Sequence, residues 1–195
     1  LGLGEMMDYP SLLAADPATV AKLDGAAAAG KPMDGHAPMV LNRELMAYRA
    51  AGITTDHECS TPEEMEQRLR LGMRVLIREG SAARNLATLI KGVTPDNAHL
   101  CAFCTDDKQP ADLLAEGQIN YNLHKAVAAG LDPVTAVRMA TINAATGYGF
   151  SDRGALVPGL LADMVAVDDL EDFRVRSVYK RGTQVAKEGS PLFSV

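Results

Sequence analysis

The strongest constraint in the sequence is a rhythm. Short apolar runs alternate with segments that begin like helices and stop at glycine. Asp16-Pro17 reads as an N-cap followed by proline at the first helical position, opening a helix that runs to Gly30. Asn42 caps "RELMAYRAAG", which stops at Gly52. Ser60 or Thr61, ahead of Pro62 and two acids, opens "PEEMEQRLRLG" up to Gly72. Ser81 caps "AARNLATLIKG", and Asp132-Pro133 opens "PVTAVRMATINAATG" as one helix. Between them lie "LGLG", "GITT", "RVLI" and "LCAFC". Short strands alternating with helices of about 10–15 residues indicate βαβ units and a parallel sheet. From Gly154 the texture changes to valine-rich stretches and turns, the mark of a few short antiparallel strands. The expected division is residues 1–150 as an α/β unit and 151–195 as a small β segment.

Composition narrows the function. The net charge is −6, with 19 basic and 25 acidic residues mixed along the chain, so no basic stripe is present for a nucleic acid. No apolar run approaches the roughly 20 residues that span a membrane, and "LGLGEMMDYP" lacks the basic start of a signal peptide. Cys59, Cys101 and Cys104 are too few and too odd in number for a disulfide framework, which favours a reducing cytoplasm. The "CAFC" spacing suits a metal knuckle, but no second pair exists. In a strand, residues three apart point to opposite faces, so these read as buried thiols.

Chemistry collects where the strands end. Glu5, His36, His57, the Arg78–Glu79 pair and Asp106–Asp107 each follow an apolar run, at intervals of 31, 21, 22 and 27 residues. A (β/α)₈ barrel of about 250 residues averages roughly 31 per βα unit, and compact units run shorter. Successive strand ends of such a fold meet at its C-terminal mouth, where active sites form. Two imidazoles with two or three carboxylates are a donor set for zinc, iron or manganese. The plainer reading stands beside it: a lone histidine after a strand is usually packed or solvated, and Glu5 or Asp106 could each be a helix cap. The other histidines fall outside the pattern. His99 precedes Asp106 by seven residues, roughly 23 Å at about 3.3 Å each, which puts it towards the opposite strand end. His124 lies inside the helical "INYNLHKAVAAG".

Taken in order, "GEMMDYP", "DGHAP", "AGITTDHECST", "LGMRVLIREGSAARNL" and "FCTDDKQP" resemble the adenine deaminase family of the amidohydrolase superfamily. The closing "INAATGYGFSDRGALVPGLLADMVAVDD" resembles the return of such enzymes from the barrel to a small β-sandwich. The resemblance implies a partial (β/α)₈ TIM-type barrel of about strands four to eight, followed by a β-sandwich segment. It further implies a divalent, binuclear metal centre of manganese, iron or zinc. Glu5 would bridge two ions, His36 and His57 would ligate the second, and Asp106 would bind metal and take a proton from the attacking water. Adenine would lose ammonia from C6 and leave as hypoxanthine, a purine-salvage reaction in the cytoplasm. For Glu58 two readings are open, a catalytic acid that protonates or hydrogen-bonds a purine ring nitrogen, or an exposed loop acid. Arg78, Glu79 and Ser81 would shape the purine pocket, Ser81 having the competing task of a helix cap.

One departure from the family stands out. No His-x-His pair occurs in the chain, and the first run matches the fourth strand of the family's barrel. The resemblance therefore implies a segment, inactive or unstable alone, that works with the remaining barrel half or as a homo-oligomer. Two other readings are compatible with the same residues: an amidohydrolase acting on a cyclic amide or another aminated ring, and a non-catalytic barrel segment that serves as a binding partner.

Overall fold

A computed structural model describes residues 2–194 of the chain. β1 (Leu3–Met6) leads through α1 (Tyr9–Leu13) and α2 (Pro17–Ala28) to β2 (Met33–Gly35), and α3 (Asn42–Ala50) connects to β3 (Thr55–Asp56). Next come α4 (Pro62–Arg70), β4 (Arg74–Arg78), α5 (Leu86–Leu89) and β5 (Cys101–Cys104). Four helices follow in succession: α6 (Pro110–Glu116), α7 (Ile119–Ala128), α8 (Pro133–Ala140) and α9 (Ile142–Gly147). β1 pairs with β2, and β3, β4 and β5 pair in that order, every pair parallel. The Thr54 N–H donates to the Met33 carbonyl (3.2 Å) and ties β3 to β2. The rhythm of the sequence has become an α/β array of parallel strands in chain order.

Strand alternation divides the side chains between two faces. Val75, Ile77, Cys101 and Phe103 pack with Met65, Leu86 and Met139 of the helices in one buried cluster. Met6 and Met33 pack with Leu23, Leu45 and Tyr48 in another. Full burial of such a side chain contributes about 1.5–3 kcal/mol. The opposite face is thereby left to Asp34, Thr55, Leu76 and Arg78, and it leads to the strand ends.

The caps follow local chemistry, with corrections. Asp16 and Asp132 accept from the backbone of Thr19 and Thr135 ahead of prolines, as expected. Thr61, rather than Ser60, caps α4 in a full capping box with Glu64. Asn42 is not a cap: α3 begins at Asn42 itself, and Leu41 precedes it without a side-chain bond. Ser81 caps no helix, because α5 starts only at Leu86 after Asn85. The long helix expected from Pro133 breaks at Thr141, whose backbone leaves the helical region and whose hydroxyl donates to the Val137 carbonyl.

Beyond residue 150, β6 (Met164–Val167), β7 (Val175–Lys180), β8 (Thr183–Lys187) and β9 (Ser190–Pro191) form one antiparallel sheet in that order. Its strand residues are half-buried or exposed. Among the described residues no helix is long and apolar enough to cross a membrane.

Candidate active site

Glu5 sits near the end of β1, His36 directly follows β2, and His57 directly follows β3. One oxygen of Glu5 lies 3.1 Å from His36 Nδ1 and 3.1 Å from His57 Nε2. Candidate ligand atoms of the three residues all fall within 4.8 Å of one another. Close approach of the strands makes this possible. A side chain at Gly35 would run into the Thr55 carbonyl and Ile53, so only glycine fits beneath His36. Tyr48 accounts for the local alignment. Its buried hydroxyl accepts from the His36 N–H (2.9 Å) and donates to the Met6 carbonyl (2.9 Å), bridging β1 and β2 where their register shifts.

His57 is nearly buried, and its Nε2 has no hydrogen-bond partner, the Glu5 oxygen lying outside hydrogen-bonding geometry. A buried ring nitrogen left without a hydrogen-bond partner is costly in a purely structural role and fits a metal ligand. The donor set of imidazole and carboxylate without thiolate suits zinc, iron or manganese.

A second group adjoins the first. Glu58 Oε1 lies 3.5 Å from His57 Nε2 and 3.6 Å from His36 Nδ1. His57, Glu58 and Asp106 also present ligand atoms within 4.8 Å of one another. Arg78, the last residue of β4, pairs through Nη1 with Glu58 and with Asp106 Oδ2, the latter at 3.0 Å. Burial opposes the Arg78 charge, but the two carboxylates outweigh it and hold its pKa above the ordinary guanidinium value. Asp106 follows β5 with a φ of 50°, a left-handed conformation that aspartate tolerates better than most residues.

Glu79 and Ser81 lie behind this cluster. Glu79 is fully buried and pairs with Lys125 of α7 (2.6 Å), with Arg84 at 3.5 Å. Ser81 donates its hydroxyl to Asp112 and accepts from the Gln109 N–H (2.8 Å), while its own N–H reaches Asp107 (3.1 Å). Asp107 also accepts from the Ala82 N–H, and both bonds hold its carboxyl below the usual range. These contacts pin the loop after β4 against the loop after β5. His99 lies in the turn before β5, and His124 on α7 contacts the Glu171 carbonyl, both away from the cluster. Burial pushes the thiols of Cys101 and Cys104 up to about 12, so neither offers a thiolate at neutral pH.

The sequence reading missed Tyr48, Asp56 and Arg68. Asp56 and Arg68 form a fully buried ion pair (2.6 Å) directly behind His57. An aspartate inside a strand and an arginine on the same helical face as Met65 were the available signals.

Residues 74–185 match the model of the amidohydrolase family. The chain is 55% identical over 189 residues to the adenine deaminase of Nitratidesulfovibrio vulgaris (strain DP4), covering 97% of this chain and 33% of that protein. It is 50% identical over 192 residues to adenine deaminase 2 of Desulfotalea psychrophila, covering 98% of this chain and 33% of that protein. The chain thus spans about a third of the length of the curated relatives it matches. Among solved structures it superposes on a β-aspartyl dipeptidase from Fervidobacterium islandicum with a TM-score of 0.71, covering 100% of this chain and 58% of that one. At 18% identity that likeness concerns the fold alone. With more than half of its residues inside the family match, the chain belongs to the amidohydrolase family.

Proposed function

We propose that this chain carries one half of the active site of an adenine deaminase, which hydrolyses adenine to hypoxanthine and ammonia. The observation that carries this reading is the meeting of Glu5, His36 and His57 around the partnerless Nε2 of His57, in a chain 55% identical to an adenine deaminase. The architecture supports a partial (β/α)₈ barrel, about strands four to eight, over residues 1–150, with a β-sandwich segment over 151–195. Glu5, His36, His57 and Asp106 would hold the divalent metal, manganese, iron or zinc, of a binuclear centre. When bound, such an ion supplies Lewis-acid activation of water at neutral pH.

The chain's own groups do the rest. Asp106 holds the proton given up by the attacking water and passes it towards the ring or the departing amine. Glu58 hydrogen-bonds a purine ring nitrogen, and its place between His57 and Arg78 supports that role over a loop acid. Arg78 orients Glu58 and Asp106 through Nη1 and with them shapes the purine pocket. Glu79 and Ser81 shape the pocket from behind by fixing the loop that follows Arg78. Free cysteines fit a reducing, cytoplasmic setting, and the product fits purine salvage. Association with the rest of a barrel, or of copies with one another, would complete the open strand array.

The test is ammonia release from adenine by the protein that carries this chain, in Mn2+, against release of product from a cyclic amide. Deamination of adenine, abolished in His36→Ala, is expected. Hydrolysis of the cyclic amide with adenine untouched would replace this reading with another amidohydrolase, and no metal-dependent turnover of either would remove it.

A further inference from the structure

The buried pair behind His57 reaches further than a salt bridge needs to. Asp56 Oδ2 accepts from Arg68 Nε (2.6 Å). Its Oδ1 accepts from the Glu58 N–H (3.0 Å) and the Ala37 N–H (3.4 Å), the residues that follow His57 and His36. The other hydrogen bonds of Arg68 go to main-chain carbonyls, Nη2 to Ala37 and Nη1 to Val40 (3.2 Å) and Glu64 (3.1 Å). Glu64 repeats the pattern one helical turn earlier, accepting from the Met39 N–H (2.8 Å) on one oxygen and the Ser60 N–H (2.9 Å) on the other. One face of α4 therefore grips both loops that leave the histidines, 21 residues apart in sequence.

A buried ion pair is a poor device for stability alone. Desolvation offsets much of its attraction, and apolar replacements of similar size are often as stable. Its hydrogen bonds, by contrast, fix the backbone directly next to two side chains whose spacing must suit a ligand.

We propose that Asp56 and Arg68 are positioning residues that lock the His36 and His57 loops in metal-binding register, so that the two imidazoles are set before a ligand arrives. Both side chains are fully buried and act through the loops they hold. The proposal rests on the metal reading above, and its test separates the two.

Two variants of the full chain are compared with wild type: Arg68→Lys, which keeps the charge but loses the planar fork, and the double variant Asp56→Leu/Arg68→Met, which replaces the pair by apolar groups. Circular dichroism checks folding, Co2+ titration reads affinity and the visible spectrum of the bound ion, and amide exchange reads the loops. Expected is a folded Arg68→Lys chain whose Co2+ affinity falls about 10–100-fold, with an altered ligand-field spectrum. Faster exchange should be confined to residues 37–40 and 58–61. Folded variants that keep wild-type affinity, spectrum and loop exchange would overturn the proposal. Unfolding of both variants would also overturn it, by assigning the pair to stability alone. If wild-type chain binds no Co2+, the metal reading fails, while loop exchange in the folded variants still decides the clamp.

Discussion

His36 and His57 stand edge to face, with ring centroids 5.4 Å apart and planes inclined by 71°. They come from the ends of adjacent strands, β2 and β3, and the same Glu5 oxygen reaches a nitrogen of each. Parallel strands in chain order deliver such neighbours automatically, because each strand ends on the same edge of the array.

The Tyr48 hydroxyl is the strap beneath this pair. Removing it in Tyr48→Phe leaves the His36 N–H and the Met6 carbonyl without their partner. A loss of about 1–3 kcal/mol is expected, measured by urea denaturation with an unchanged m-value. Divalent-metal affinity should fall as well, since β1 and β2 carry Glu5 and His36.

Asp106→Asn keeps the size of the side chain and removes its ability to take a proton. In the protein that carries this chain, turnover of adenine should fall about 10²–10⁴-fold while the fold is retained. Steady-state ammonia release measures it. Near-wild-type turnover would remove Asp106 from proton transfer.

Glu64 links stability to pH. Burial works against its charge, but donors from Ser60, Met39 and Thr61 outweigh it and hold the carboxyl below its ordinary 4.5. A depressed folded pKa means stability that is present above the unfolded value and lost as pH falls through the folded one. Wild-type chain should therefore lose stability as pH drops below 4.5. Glu64→Gln should be less stable near neutrality by about 1–2 kcal/mol and show a shallower acid limb. Thermal melts across pH 3–7, at roughly half-unit steps, test both.

Glu79 depends on Lys125. Lys125→Met leaves a fully buried carboxylate with only Arg84, 3.5 Å away, for compensation. Breaking such a pair from one side costs about 3–5 kcal/mol, and the remaining Arg84 puts the expected loss at the lower end. A Glu79→Gln/Lys125→Met double variant should recover part of it, as equilibrium denaturation would reveal.

The parallel α/β array was legible because its signals are local: proline after a capping acid, glycine at helix ends, apolar runs of strand length. The convergence of Glu5, His36 and His57 was legible because strand ends share an edge. What stayed hidden depends on contacts distant in sequence. Nothing near Ser81 announces that its hydroxyl is taken by Asp112, 31 residues away, instead of a helix end. Thr141 breaks its helix by bonding back to Val137, an option that an apolar period does not exclude. Arg68 looks like one more surface charge of α4 until the fold brings Asp56 and the Ala37 carbonyl against it.

Crystals of this chain grown with Mn2+, with anomalous diffraction recorded at the manganese edge, test the metal centre most directly. Expected is an anomalous peak within coordination distance of Glu5, His36 and His57, lost in His57→Ala. A peak elsewhere, or none at this cluster in the wild-type chain, would contradict the assignment.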